Sequence, residues 1–316
     1  MKRLIFVLVF ISYLIVSTLG CGQTDGLSPG EGFIEVTGGK VWYNIVGSGS
    51  NTPLLLLHGG PGVPSFYLNP LKGLAADRPV IFYDQLGCGR SDKTSDTSLW
   101  TIEHFVRELA EVRKALKLDE IHLYGHSWGT MLATDYLLTK PSGVKSVILA
   151  SPALDTKRWI HDTDSLRSTL PDSIQQIIRK SEETKTFDSP EFQAAMLEFN
   201  SQFLARRRPW SADLDSSFAL ISDKIYLYMW GPSEFIATGT LSNYDRTDRL
   251  NEIKLPTLFM AGQYDECTPA TAKYYQSLIP GAELVIIENA AHITMHDEPE
   301  VNNKAVREFL AKVEKE

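Results

Sequence analysis

The chain has 316 residues, of which 43% are hydrophobic and 22% charged. That composition supports a buried core, in one large domain with an insertion or in two modest domains. The formal net charge of -8 argues against a nucleic-acid binder, which needs a basic face. The densest basic run, Arg206-Arg207-Arg208, is short and leads into Pro209-Trp210, so it reads as a solvated helix end and not as a phosphate site.

Lys2 and Arg3 precede the apolar run LIFVLVFISYLIV, which gives way to small residues just before Cys21. A positive start, an apolar middle and small residues at a cut site describe an export signal over residues 1–20. A retained anchor is the alternative, although the run is short for a span of about 20 residues. The segment TLGC resembles the lipobox of bacterial lipoproteins, and that resemblance implies a lipid on Cys21 and a place in a bacterial cell envelope. The leucine usual three places before the cysteine is Thr18 here, with Leu19 one place late. A soluble exported form, periplasmic or secreted, therefore stays open. Residues 21–30 read as a tether to the folded part. Cys88 and Cys267 are the remaining cysteines; two do not make a disulfide scaffold, and both are expected as buried or half-buried free thiols.

From residue 32 the segment GFIEVTGGKVWYNIV alternates apolar and polar residues about Gly38-Gly39, the pattern of a hairpin. TPLLLLHGG and RPVIFYDQLGCG are solid apolar runs closing in glycines, as expected of strands buried on both faces. Ile102, Phe105, Val106, Leu109, Val112 and Leu116 then recur at helical spacing. EIHLYGHS, GTMLATDYLLTKP and VKSVILASP continue as strand, helix, strand. This alternation predicts an α/β fold, a mostly parallel sheet covered on both sides. The rhythm breaks at residues 156–236, which are helix-like, charged and aromatic; they are expected to form an inserted helical cap. It resumes over residues 237–316, so residues 31–155 and 237–316 together make the core.

Within the run IHLYGHSWG, Ser127 stands between Gly125 and Gly129 where a strand gives way to a helix. Gly-x-Ser-x-Gly in that context is a nucleophile elbow: glycines relieve a tight backbone approach, and the helix N-terminus offers free N–H groups to a negative oxygen. A serine hydroxyl needs a base, and the base a carboxylate to hold it. Asp265 and His292 each follow an apolar run in the order Ser, Asp, His, which places both at carboxyl ends of strands, where an open sheet builds its site. His104 falls in a helix, His122 within a strand and His161 in the cap. His126 adjoins the serine but points elsewhere on the elbow, and His296 is the rival to His292. An oxyanion needs donors; the HGGPG loop from His58 to Gly62 supplies the Gly60 N–H, and the Trp128 N–H supplies a second. His58 is expected to brace that loop.

Taken together, HGGPG, DQLGCGRS, GHSWGT, GQYDECTP and AHITM resemble the proline iminopeptidases of the α/β-hydrolase superfamily, over about residues 31 to 314. The resemblance implies removal of an N-terminal residue, often proline, from short peptides with a free N-terminus. It implies a triad of Ser127, Asp265 and His292, with Gly60 and Trp128 as oxyanion donors. In the tricorn-associated members two glutamates hold the substrate amine. WGPSEF, with Glu234, is similar to their cap segment NGPNEF, and Glu266 follows the triad aspartate as their second glutamate does. An ammonium in a partly dry pocket needs such opposing charge. No cofactor or metal is required, and no H-E-x-x-H motif is present to bind one. The cap aromatics suggest a pocket for an apolar first residue; Tyr226, Tyr228 and Trp230 fit either that pocket or the cap core. An esterase or amidase with the same triad is the rival reading, and a non-catalytic surface receptor is a more distant one. Ser127 at the elbow counts against epoxide hydrolases and dehalogenases, which usually place an aspartate there.

Overall fold

The structure, a computed structural model, describes residues 27–315. The expected signal, Cys21 and most of the tether lie outside the described residues. Eight strands form one sheet in the order β1-β2-β4-β3-β5-β6-β7-β8. They are β1 (Gly30–Val36), β2 (Gly39–Val46), β3 (Leu54–Leu57), β4 (Val80–Tyr83), β5 (Ile121–His126), β6 (Val144–Ala150), β7 (Thr257–Gly262) and β8 (Glu283–Ile287). The β1–β2 hairpin and the β2–β4 pair are antiparallel, and every pairing from β4 through β8 is parallel. The expected mostly parallel sheet is therefore the observed one.

Helices cover both faces because the strands are apolar on both. Leu55, Leu57, Leu123, Val147, Leu149 and Phe259 pack into one core, on the side of α1 (Ile102–Ala115) and α2 (Trp128–Leu138). Their neighbours Leu54, Leu56, Tyr124, Ile148, Leu258 and Met260 pack into the other, with Val306, Phe309 and Leu310 of α10 (Pro299–Val313). Successive strand side chains point to opposite faces, so a run such as Leu54–Leu57, wholly buried, serves both cores.

Between β6 and β7 the chain leaves the sheet for five helices: α3 (Thr156–Arg167), α4 (Asp172–Thr184), α5 (Pro190–Phe203), α6 (Ala212–Ala219) and α7 (Asp223–Met229). Leu170, Ile178, Phe192, Phe199 and Phe203 of this segment form a separate apolar cluster with Phe235. Helix starts follow side-chain caps: Asp155, Ser189 and Ser211 each accept from N–H groups in the first turn of the helix that follows. After β7 come α8 (Pro269–Leu278), then β8, a short α9 (Thr294–Asp297) and α10. Cys88 and Cys267 are both free and buried. Among the described residues, no helix is long and apolar enough to cross a membrane.

Candidate active site

Ser127 sits between β5 and α2 with φ 54° and ψ −121°, a conformation held by its surroundings. A Cβ on Gly125 would come within 2.4 Å of the Gly129 carbonyl oxygen, and one on Gly129 within 2.1 Å of that of Leu57. Both glycines are thus required by close backbone contacts, and the sharp turn they permit lifts Ser127 into a cavity of about 580 Å³. His292, Glu234 and Glu266 line the same cavity.

Asp265 follows β7, and each of its oxygens takes two donors. Oδ1 accepts from His292 Nδ1 at 2.8 Å and from the Cys267 N–H at 2.9 Å. Oδ2 accepts from Ser151 Oγ at 2.6 Å and from the Gly262 N–H at 3.0 Å. A carboxylate at Nδ1 fixes the His292 proton there and leaves Nε2 as the acceptor. The rival His296 is occupied elsewhere, its Nε2 accepting the Ser211 N–H at 3.0 Å. His122 is tied to Ser146 and Glu314 far down the sheet, and the His161 side chain is 82% exposed.

The HGGPG loop lies directly against the elbow: a Cβ on Gly59 would meet Ser127 Cβ at 3.1 Å. Gly60 borders the cavity, and Trp128, as the first residue of α2, has its N–H outside the helical ladder. His58 is fully buried and braces the loop, as expected. Its Nε2 accepts the Gln85 N–H at 2.9 Å and its Nδ1 bonds the Gly59 carbonyl at 3.0 Å. Burial lowers its pKa.

Several residues at the site went unread in the sequence. The Gln85 side chain donates to the His58 carbonyl at 3.2 Å and accepts from Trp128 Nε1 at 2.8 Å, clamping the glycine loop to the elbow. Ser151 Oγ lies within bonding distance of both Asp265 Oδ2 and the His292 carbonyl. The Gly59 N–H donates to Tyr67 Oη at 2.7 Å, so the Tyr67 proton goes to His126 Nδ1 at 2.9 Å. His126 Nε2–H then meets the His292 carbonyl at 3.0 Å. Burial, then the neighbouring His292, pushes the His126 pKa down to about 3; His126 is a neutral strut. Ser151 and Gln85 each had one sequence signal, a place just past the carboxyl end of a buried strand.

Replacing Gln85 by Leu removes the clamp and keeps the bulk. We expect kcat to fall about ten- to a hundredfold with KM little changed, because donors displaced by a fraction of an ångström lose their hold on the oxyanion. Steady-state kinetics on an amide substrate checks this.

Two carboxylates complete the site, Glu266 buried and Glu234 half-buried. Glu234 Oε2 accepts from Trp159 Nε1 at 3.2 Å and its Oε1 from the Tyr226 hydroxyl. Glu266 is 1% exposed; its Oε1 has no partner and its Oε2 lies 3.8 Å from His292 Nδ1. Burial raises the Glu234 pKa. Burial, then the charges of Glu234 and Asp265, raises that of Glu266 well above 4.5. An unpartnered buried carboxylate is costly, and its cost falls when a cation enters. Of the aromatics left open, Trp230 is buried beside Ser127, Tyr226 faces Glu234, and Tyr228 is exposed against Trp100.

A family model for the alpha/beta hydrolase fold matches residues 52–299. A proline iminopeptidase of Heyndrickxia coagulans is 48% identical over 284 residues, covering 89% of this chain and 98% of the relative. The chain belongs to the proline iminopeptidase family of α/β-hydrolases. Among solved structures, the proline iminopeptidase of Mycobacterium smegmatis superposes with a TM-score of 0.84 at 30% identity, over 90% of this chain and 98% of its own. VinJ superposes at 0.87 and 32%, over 90% and 100%. The similarity thus extends across the sheet and the helices inserted between β6 and β7.

Proposed function

We infer that this protein is a serine aminopeptidase that releases an N-terminal proline or other apolar residue from short peptides. The observation that carries this reading is Glu266, buried with its Oε1 lacking any hydrogen-bond partner, in the cavity that also holds Glu234 and Ser127. A general esterase has no use for a buried and a half-buried carboxylate next to its nucleophile; a substrate ammonium satisfies both.

On this reading the steps are as follows. Glu234 and Glu266 hold the ammonium. His292, oriented by Asp265, takes the Ser127 proton as Oγ attacks the first carbonyl. The Gly60 and Trp128 N–H groups hold the oxyanion. His292 then protonates the leaving nitrogen, and water activated by the same histidine clears the acyl-enzyme. Incubation with a panel of peptides, read by mass spectrometry, tests the reading. Single-residue loss from free prolyl peptides, with N-acetylated peptides left intact, is expected; internal cleavage or loss of an acetylated residue overturns it.

The raised carboxylate pKa values give a pH dependence. Free enzyme with a protonated Glu234 or Glu266 must lose that proton before it binds a cation. KM for a prolyl arylamide is therefore expected to rise as pH falls through a range above 4.5. This rise is weakened in Glu266→Gln. Steady-state profiles of both enzymes measure it.

For location, we propose export to a bacterial cell envelope with a lipid on Cys21, a periplasmic or secreted form being the alternative. The supports are the charged start, the apolar run and the small residues before Cys21.

A further inference from the structure

Two hollows meet at Ser127. The large cavity, about 580 Å³, runs out from Ser127 and His292 between Phe192, Met196, Phe218, Ile221 and Leu227. The other is a slot of about 10 Å³ walled by Pro61, Met131, Ala153, Trp159 and Trp230. Ser127, Gly60 and Glu234 border both hollows, whereas His292 and Glu266 border only the large one. We propose that the large cavity is a leaving-side subsite, which takes the second residue of the peptide and selects a bulky apolar side chain there. The first residue lies against the slot. This inference rests on the aminopeptidase reading and extends it to the leaving half of the substrate.

The assignment follows from the attacked carbon. With its oxygen on the Gly60 and Trp128 N–H groups, that carbon keeps two substituents, the first residue's Cα and the leaving nitrogen. His292 must reach the leaving nitrogen to protonate it. The nitrogen therefore lies on the side His292 borders, and the chain beyond it enters the large cavity. The Cα turns its ammonium to Glu234 and Glu266, so its side chain takes the remaining direction, toward the slot. A space of that size is near the minimum for one water, so it admits a small residue or the edge of a proline ring and is closed to a leucine.

The large cavity has the opposite character. Its walls past the carboxylates are mostly aromatic and aliphatic, and Leu227 is 53% exposed at its border. Two exposed carboxylates, Asp188 and Asp223, also line it. An apolar second side chain gains from leaving water here, and an acidic one meets like charge.

The test compares kcat/KM for Pro-Phe-NH2, Pro-Gly-NH2, Pro-Glu-NH2, Phe-Gly-NH2 and N-acetyl-Pro-Phe-NH2. It uses wild type and the variants Ile221→Glu and Met196→Glu, on different walls, each with its melting curve. Wild type is expected to favour Pro-Phe-NH2 over Pro-Gly-NH2 by about tenfold or more, with Pro-Glu-NH2 slowest, and the Phe:Gly ratio should collapse in each variant that folds. A wild-type ratio near one, or a ratio that survives in the folded variants, overturns the subsite. So does Phe-Gly-NH2 outrunning Pro-Gly-NH2, which would put the first residue in the large cavity. Equal cleavage of Pro-Phe-NH2 and its N-acetyl form is a separate result, and it overturns the aminopeptidase reading itself.

Discussion

Ser127→Ala is expected to lower kcat for a prolyl arylamide by about five to six orders of magnitude, with substrate affinity largely kept. The hydroxyl is the only group removed. Alanine has the same backbone preferences as serine at φ 54°, so the elbow and the neighbouring glycines stay in place. Glu234 and Glu266 still meet the ammonium, and Gly60 and Trp128 still offer their N–H groups. The variant thus separates binding from chemistry: equilibrium binding of a prolyl peptide should persist while turnover disappears. A serine-directed phosphonate should label the wild type and leave the variant unlabelled. Substantial turnover by a well-folded variant would mean that another group is the nucleophile.

Asp265→Asn is expected to cost about four orders of magnitude in kcat, and the reason lies in the four donors around that side chain. His292 Nδ1, Ser151 Oγ and the N–H groups of Gly262 and Cys267 all point hydrogens at Asp265. An amide must place its NH2 on one side or the other. Set toward Oδ2, it faces the Gly262 N–H donor to donor. Set toward Oδ1, it faces the Cys267 N–H in the same way, and it also draws the lone pair of His292 Nδ1, moves the imidazole proton to Nε2 and removes the acceptor Ser127 needs. Because hydroxide can take the Ser127 proton in place of His292 at high pH, the residual activity should rise with pH more steeply than in the wild type. Steady-state profiles of kcat show both effects; a loss of tenfold or less would mean that Asp265 does not set the tautomer.

The sheet was legible because its central strands are pure local signal. LLLL in β3 and VIFY in β4 are uniformly buried and were bounded by glycines and turns. Ser127, Asp265 and His292 were legible through position, each just past the carboxyl end of such a run. Gln85 was not. It sits inside a recognisable motif, but its function appears only when the fold brings His58 and Trp128 to its two ends, 27 and 43 residues away in sequence. Ser151 meets Asp265 across 114 residues, and the Tyr67–His126 strut spans 59. Polar groups paired over such distances carry no period or spacing to read. Trp159 and Tyr226, which hold Glu234, come from α3 and α7 of the inserted helices, where the sequence offered aromatics without saying which face the substrate.

The proposed function rests on Glu266 and Glu234 holding the substrate's free amine. The most direct measurement is the ratio of kcat/KM for a prolyl arylamide to that for its N-acetyl derivative, in wild type and in Glu266→Gln. A large ratio is expected in wild type, shrinking by about ten- to a hundredfold in the variant, with the loss falling on the free-amine substrate. Equal cleavage of both substrates by the wild type, or a ratio unmoved by the substitution, would contradict it.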